Sequence, residues 1–155
     1  AAPWGLPVAA PTPATLLALF TTGCLMLILI LVRPRYFFPF VWMSIYFILE
    51  PLNAWLENRS LLQSVAEGDW RPVLALWVGC LICGFFWEMW NFYSYPKWIY
   101  QVPYADFLHI FEMPLLGYGG YIPFSLELFA LYHLITGLVK PGKSQDYIEV
   151  SPDDA

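Results

Sequence analysis

Long apolar runs separated by short polar stretches organise this chain. The first covers about residues 15–32 (TLLALFTTGCLMLILILV) and is stopped by Arg33-Pro34-Arg35. At 1.5 Å per residue its roughly 18 residues reach about 27 Å, close to the ~30 Å hydrocarbon core of a bilayer. The second run, about 36–56, carries Pro39 near its start and Glu50-Pro51 late, which predicts a span kinked or broken near Pro51. Glu57 to Arg71 then mixes charges with Leu61, Leu62 and Val65, the pattern of a loop holding a short interfacial helix. Pro72 opens a third span, about 72–92, where a helix start tolerates proline. In the stretch 93–120, Pro96, Pro103 and Pro114 leave no room for a full span, so it reads as a re-entrant or interfacial segment. The fourth span, about 121–139, ends at Lys140-Pro141-Gly142-Lys143, and an acidic soluble tail, 140–155, follows.

The pattern predicts an all-α integral membrane protein: one membrane domain over 1–139 with about four transmembrane helices plus the interfacial segment. Composition agrees. The chain is 59% hydrophobic and 12% charged with a mean hydropathy of +0.58, whereas a soluble domain is about one quarter charged. Lys and Arg number 7 against 12 Asp and Glu, so no basic stripe exists to hold phosphates, and nucleic acid is excluded as a partner. The first 13 residues contain no Lys or Arg and lack the basic start of a signal peptide, so they are expected to belong to the mature chain. Arg59, Arg71, Lys140 and Lys143 fall on the side of the two ends, and Arg33, Arg35 and Lys97 on the other. That excess of one residue places both ends in the cytoplasm.

Ionisable residues within spans are costly and therefore informative. Glu88 lies sixteen residues after Pro72, roughly 24 Å from the side of the chain ends, and Glu127 six residues after Tyr121, roughly 9 Å from the opposite side. Both counts point to the far side, where Asn91, three residues from Glu88, and the spaced pair His109 and Glu112 also fall. Glu88, Asn91, His109, Glu112 and Glu127 are thus the candidate catalytic cluster, with the carboxylates as acid or base, Asn91 orienting and His109 relaying protons. The alternative is that these groups hold the irregular segment in place by satisfying its backbone and Lys97. Glu50 and His133, roughly 21 and 18 Å from the far side, form a second possible pair. His133 and His109 are also the candidate ligands for a pigment.

Four glutamates and two histidines match the inventory of a di-iron carboxylate bundle, but such bundles need two Glu-x-x-His pairs and here only a reversed His109-x-x-Glu112 occurs. No metal site is predicted. Cys80 and Cys83 form a C-x-x-C inside a span; Gly79 with Cys83 and Cys80 with Gly84 are small residues four apart, which let helices approach closely, and the competing reading is a quinone-linked dithiol. Eight Trp, 10 Tyr and 12 Phe exceed what two interfacial belts require, and flat aromatic surfaces suit lipids, carotenoids, quinones or neighbouring helices.

Trp87-Glu88-Met89-Trp90-Asn91, Pro96-Lys97-Trp98-Ile99-Tyr100-Gln101-Val102-Pro103 and Glu112-Met113-Pro114-Leu115-Leu116-Gly117-Tyr118-Gly119-Gly120-Tyr121 resemble blocks in a group of uncharacterised bacterial multi-pass membrane proteins. The resemblance covers about residues 84–134; it implies that this block is one unit and brings no activity with it. The density of polar and glycine residues there is also similar to that of small membrane carotenoid-modifying enzymes, without their motifs. Two functions are expected from these readings. One is an accessory subunit of a large bacterial inner-membrane complex, photosynthetic or respiratory, contacting other membrane subunits, lipid, or a carotenoid, chlorophyll-type pigment or quinone. The other is a small membrane enzyme using the carboxylate cluster on an isoprenoid, carotenoid or quinone.

Overall fold

The computed structural model describes residues 5–6, 8–100 and 107–139. The acidic tail expected over 140–155 and the middle of the interfacial segment, 101–106, lie outside the described residues. The protein is all-α and has four helices long and apolar enough to cross a membrane: Pro13–Val32, Pro34–Trp55, Arg71–Tyr93 and Leu115–Val139. Helix α1 (Pro13–Val32) begins at Thr12, whose side chain accepts from the Thr15 N–H, with Pro13 in the first turn, where its missing N–H has no consequence. Helix α2 (Pro34–Phe37) and a 3-10 turn (Phe38–Phe40) lead into α3 (Val41–Trp55), and Pro39 falls in that turn, outside the regular helix. Pro51 sits inside a continuous α3, so the expected break there is not made. Its missing N–H leaves the Phe47 carbonyl without the usual helical donor, and the helix carries on around that one lost bond.

The loop after α3 holds a short helix where one was expected, α4 (Leu61–Ala66), capped by Ser60. Helix α5 (Arg71–Tyr93) follows, and α6 (Tyr121–Val139) completes the bundle. Between them lie a two-residue hairpin, β1 (His109–Ile110) with β2 (Met113–Pro114), and a 3-10 turn (Leu115–Gly120) that runs directly into α6. The last six residues of the stretch 93–120, read from sequence as re-entrant or interfacial, thus extend the fourth span.

Principal packing contacts run in the order α1, α3, α6, α5. The buried stripe of α1 is Leu16, Gly23 and Ile30, at heptad spacing. Gly23 sets the α1/α3 distance: a Cβ there would lie 2.8 Å from the Ser44 carbonyl oxygen and 3.0 Å from Phe47 Cβ, so the backbones approach as only glycine allows. Tyr46, Leu49, Leu61, Val73, Leu126 and Ala130 form the apolar core, joining α3, α4, α5 and α6.

Buried polar groups in an apolar medium need partners close at hand, and at the end shared by the loop and the C-terminal end of α6 they find them in a compact knot. The Ser60 hydroxyl and the Leu62 N–H both donate to Glu50 Oε1, at 2.7 and 2.8 Å. Asn53 Nδ2 donates to the Ala130 carbonyl at 2.7 Å, and Asn58 closes on Asn53 through its backbone N–H (2.8 Å) and its Nδ2 (3.2 Å). Trp70 Nε1 donates to the Leu6 carbonyl across the same surface. Just before the third span, Asp69 is gripped by Arg71, the first residue of α5, at two points, 2.8 Å each, and its carboxyl is held below the usual carboxylate range. Because Asn53 is fully buried and serves both α6 and Asn58, Asn53→Ala is expected to destabilise the protein by about 1–3 kcal/mol in an equilibrium denaturation in micelles; a change under about 0.5 kcal/mol would contradict its role as the tie between α3 and α6.

Candidate functional site: an apolar cleft ending in a carboxylate and two phenols

The opposite end of the bundle is organised around Glu88. On α5 the buried positions Gly84, Glu88 and Asn91 form one stripe at helical spacing. Glu88 is fully buried, and its Oε1 accepts from two phenols, Tyr121 at 2.7 Å and Tyr100 at 2.9 Å. One turn on, Asn91 clips the returning chain: its Nδ2 donates to the Trp98 carbonyl at 2.9 Å and its Oδ1 accepts the Trp98 N–H at 2.7 Å. This two-point clip reproduces the pairing an extended neighbour strand would give, and it fixes where Tyr100 arrives.

Further out, Lys97 pairs with Glu112 and lies 5.0 Å over the Phe92 ring. The hairpin tip is Phe111, whose φ of 60° is unusual for a bulky residue. Its ring sits 5.3 Å from Phe85 and 5.8 Å from Phe92, so aromatic packing on α5 offsets a backbone cost of about 1–2 kcal/mol.

These ties shape a cleft of about 440 Å³. Tyr121 and Phe124 of α6 form its floor, Trp42 from the start of α3 one wall, and Cys80, Cys83, Gly84 and Trp87 of α5 the other. Met113, Gly117 and Gly120 close the end nearest the hairpin. Trp42 and Phe124 meet edge to face at 5.0 Å. Gly84 permits the floor to seat, since a Cβ there would lie 2.7 Å from the Tyr121 ring. The volume is that of a small-ligand site, and its walls are almost wholly carbon and sulfur.

The predicted cluster is therefore divided. Glu88 and Asn91 stand together, each bound to the interfacial segment, and Glu112 joins that segment through Lys97 without touching Glu88. His109 is exposed on β1, opposite Pro114 in the hairpin. Glu127 is buried on α6 with Oε2 lacking a partner among the described residues, and no bond joins it to Glu88. Six residues turn the helix by about 600°, so Glu127 leaves α6 about 240° around from Tyr121, which faces Glu88. Glu50 bonds to Ser60 and Leu62, and His133 lies buried on α6 with its ring 4.3 Å from Phe129 and 5.1 Å from Tyr132.

Of the small-residue pairs on α5, only Gly84 supports a close approach. Gly79 has nothing within 4 Å of where a Cβ would be, and Cys83 is exposed at the cleft. Tyr100 and Tyr121 were not singled out from sequence; their signal was the placement of Tyr121 at the start of α6, level with Glu88 by residue count. Compared with protein-family models, curated proteins and solved structures, the chain gives no significant match.

Tyr100 lies beyond the end of α5, and burial, then its bond to Glu88 and that group's charge, push its hydroxyl up to about 12 from the ordinary 10.0. A raised phenol contributes stability in full below about 10, and that contribution is lost as pH rises through about 12. The ultraviolet difference titration between the native protein and Tyr100→Phe is expected to show one phenol ionising near 12; one ionising near 10 would contradict the Tyr100 to Glu88 bond.

Proposed function

We propose that this chain is a bacterial inner-membrane protein that holds an apolar, chain-bearing molecule of the isoprenoid, carotenoid, quinone or lipid class in the cleft between α3, α5 and α6. The observation that carries this reading is a space of about 440 Å³ at one end of the helices whose walls are almost wholly carbon and sulfur. A molecule that partitions into the bilayer enters such a cleft sideways without crossing water, and rigid Trp42, Trp87 and Phe124 surfaces supply contact at small entropic cost.

A second reading, an accessory subunit of a photosynthetic or respiratory complex, is favoured by one further observation. Trp90, Tyr93, Tyr95 and Trp98 are 65 to 100% exposed around the end of α5, a continuous aromatic surface larger than an isolated belt requires. The two readings are compatible, since a bound lipid or pigment is a common seam between subunits. Under the second, mild extraction brings the chain out in a coloured particle far larger than 17.9 kDa; a small colourless one would contradict it.

The cleft reading is tested at Cys83, which is exposed in the cleft wall. In a variant retaining Cys83 with Cys24→Ala and Cys80→Ala, labelling by a membrane-soluble maleimide is expected to slow as geranylgeraniol is added, in proportion to occupancy. A rate that does not change up to saturating geranylgeraniol would contradict ligand binding there.

A further inference from the structure

One indole N–H borders the cleft without a partner. Trp42 lines the wall at the start of α3, and its Nε1 is the heavy atom nearest to where a Cβ on Gly120 would lie, 4.0 Å away. Gly120 lines the same end of the cleft, and as a glycine it leaves the space beside that nitrogen open. Edge-to-face packing on Phe124 at 5.0 Å holds the Trp42 ring in this position. Among the described residues the Trp42 N–H has no hydrogen-bond partner. The other side-chain donors of the cleft are committed or weak. The Tyr121 proton goes to Glu88 Oε1 at 2.7 Å, the Trp87 indole is bonded to Tyr100, and the Cys80 and Cys83 thiols are weak donors. An N–H facing carbon and sulfur loses a hydrogen bond unless something in the cleft accepts it, and the remaining source of an acceptor is the bound molecule. No charged residue is among those lining the cleft, so a charged head would be desolvated there without a counter-charge.

We propose that Trp42 anchors the ligand: its indole N–H donates to an oxygen of a neutral lipophile at the Gly120 end of the cleft, and the apolar chain runs along Cys80, Cys83 and Phe124. The proposal rests on the cleft reading above and narrows it. Carbonyl, ether and hydroxyl oxygens all supply the acceptor, so oxygen-bearing isoprenoids, carotenoids and quinones remain. A pure hydrocarbon of the same shape leaves the N–H unpaired and is bound less well.

The test compares geranylgeranyl methyl ether, which accepts but cannot donate, with the hydrocarbon in which hydrogen replaces the methoxy group. Both are added at equal mole fractions to the same single-cysteine protein in nanodiscs, and protection of Cys83 from labelling is read. The ether is expected to protect at about tenfold lower mole fraction than the hydrocarbon, the effect of pairing a donor that otherwise stays unpaired. In Trp42→Phe, which keeps an aromatic wall and removes the N–H, the two are expected to protect equally. Nitrogen-15 spectra add a direct readout: the Trp42 indole proton is expected to move further downfield with the ether than with the hydrocarbon. Equal protection by ether and hydrocarbon with Trp42 present would overturn the proposal while leaving the cleft reading intact, and this comparison stands whether or not Trp42→Phe folds. Protection by neither would overturn both. An ether preference that survives Trp42→Phe, or an indole proton that the ether does not move, would overturn the assignment to Trp42.

Discussion

A fully buried carboxylate accepting two phenolic hydroxyls on one oxygen is the constraint from which this end of the molecule is built. Glu88 belongs to α5, Tyr100 to the chain returning from α5, and Tyr121 to the first turn of α6, so one oxygen ties three segments that are far apart in sequence. In an apolar surrounding such a group has little alternative to the partners placed beside it, which makes the tie selective as well as cohesive. Asn91, clipped to the Trp98 backbone one turn further on, brings Tyr100 into range, and Gly84, one turn back, gives the Tyr121 ring room to lie flat against α5.

The cleft follows from that arrangement. With Tyr121 drawn against α5, the side of its ring and Phe124 become a floor, and Trp42 at the start of α3 faces α5 across it. The other end of the bundle solves the same problem of buried polar groups with the loop itself: Glu50 takes the Ser60 hydroxyl and the Leu62 N–H, and Asn53 spans α3, α6 and Asn58. Among the described residues that end is tied into a knot, whereas the Glu88 end leaves an apolar space beside it, and this asymmetry is the physical reason for proposing a ligand there.

Much of this was legible in the sequence. Run length and proline position placed the third span within a residue at either end and the end of the fourth, because a hydrocarbon slab imposes length and hydropathy directly, while the start of the fourth lies six residues earlier, at Leu115. Depth counting also put Glu88 and Asn91 together on the far side. It could not tell which way a side chain leaves its helix, and that is where it erred: Glu127 shares the far half of the bilayer with Glu88 but leaves α6 on another face, and Glu50 shares a depth with His133 but turns to the loop. The donors were missed for a related reason. Tyr100 and Tyr121 looked like members of an abundant aromatic class, and Ser60 and Asn58 like loop residues; what distinguishes them is a buried acceptor nearby, a fact of tertiary structure. Of the two outcomes expected at Pro51, a kink or a break, the break is not made, since the helix absorbs one lost hydrogen bond and continues.

The most direct measurement of the central claim is a double-mutant cycle between Glu88→Gln and Tyr121→Phe, read as equilibrium stability in micelles. A shared buried hydrogen bond predicts that the double variant is more stable than the sum of the single changes implies, with a coupling of about 0.5–3 kcal/mol. Additivity within about 0.3 kcal/mol would mean that the carboxylate and the phenol do not hold α5 and α6 together, and would contradict the account at its foundation.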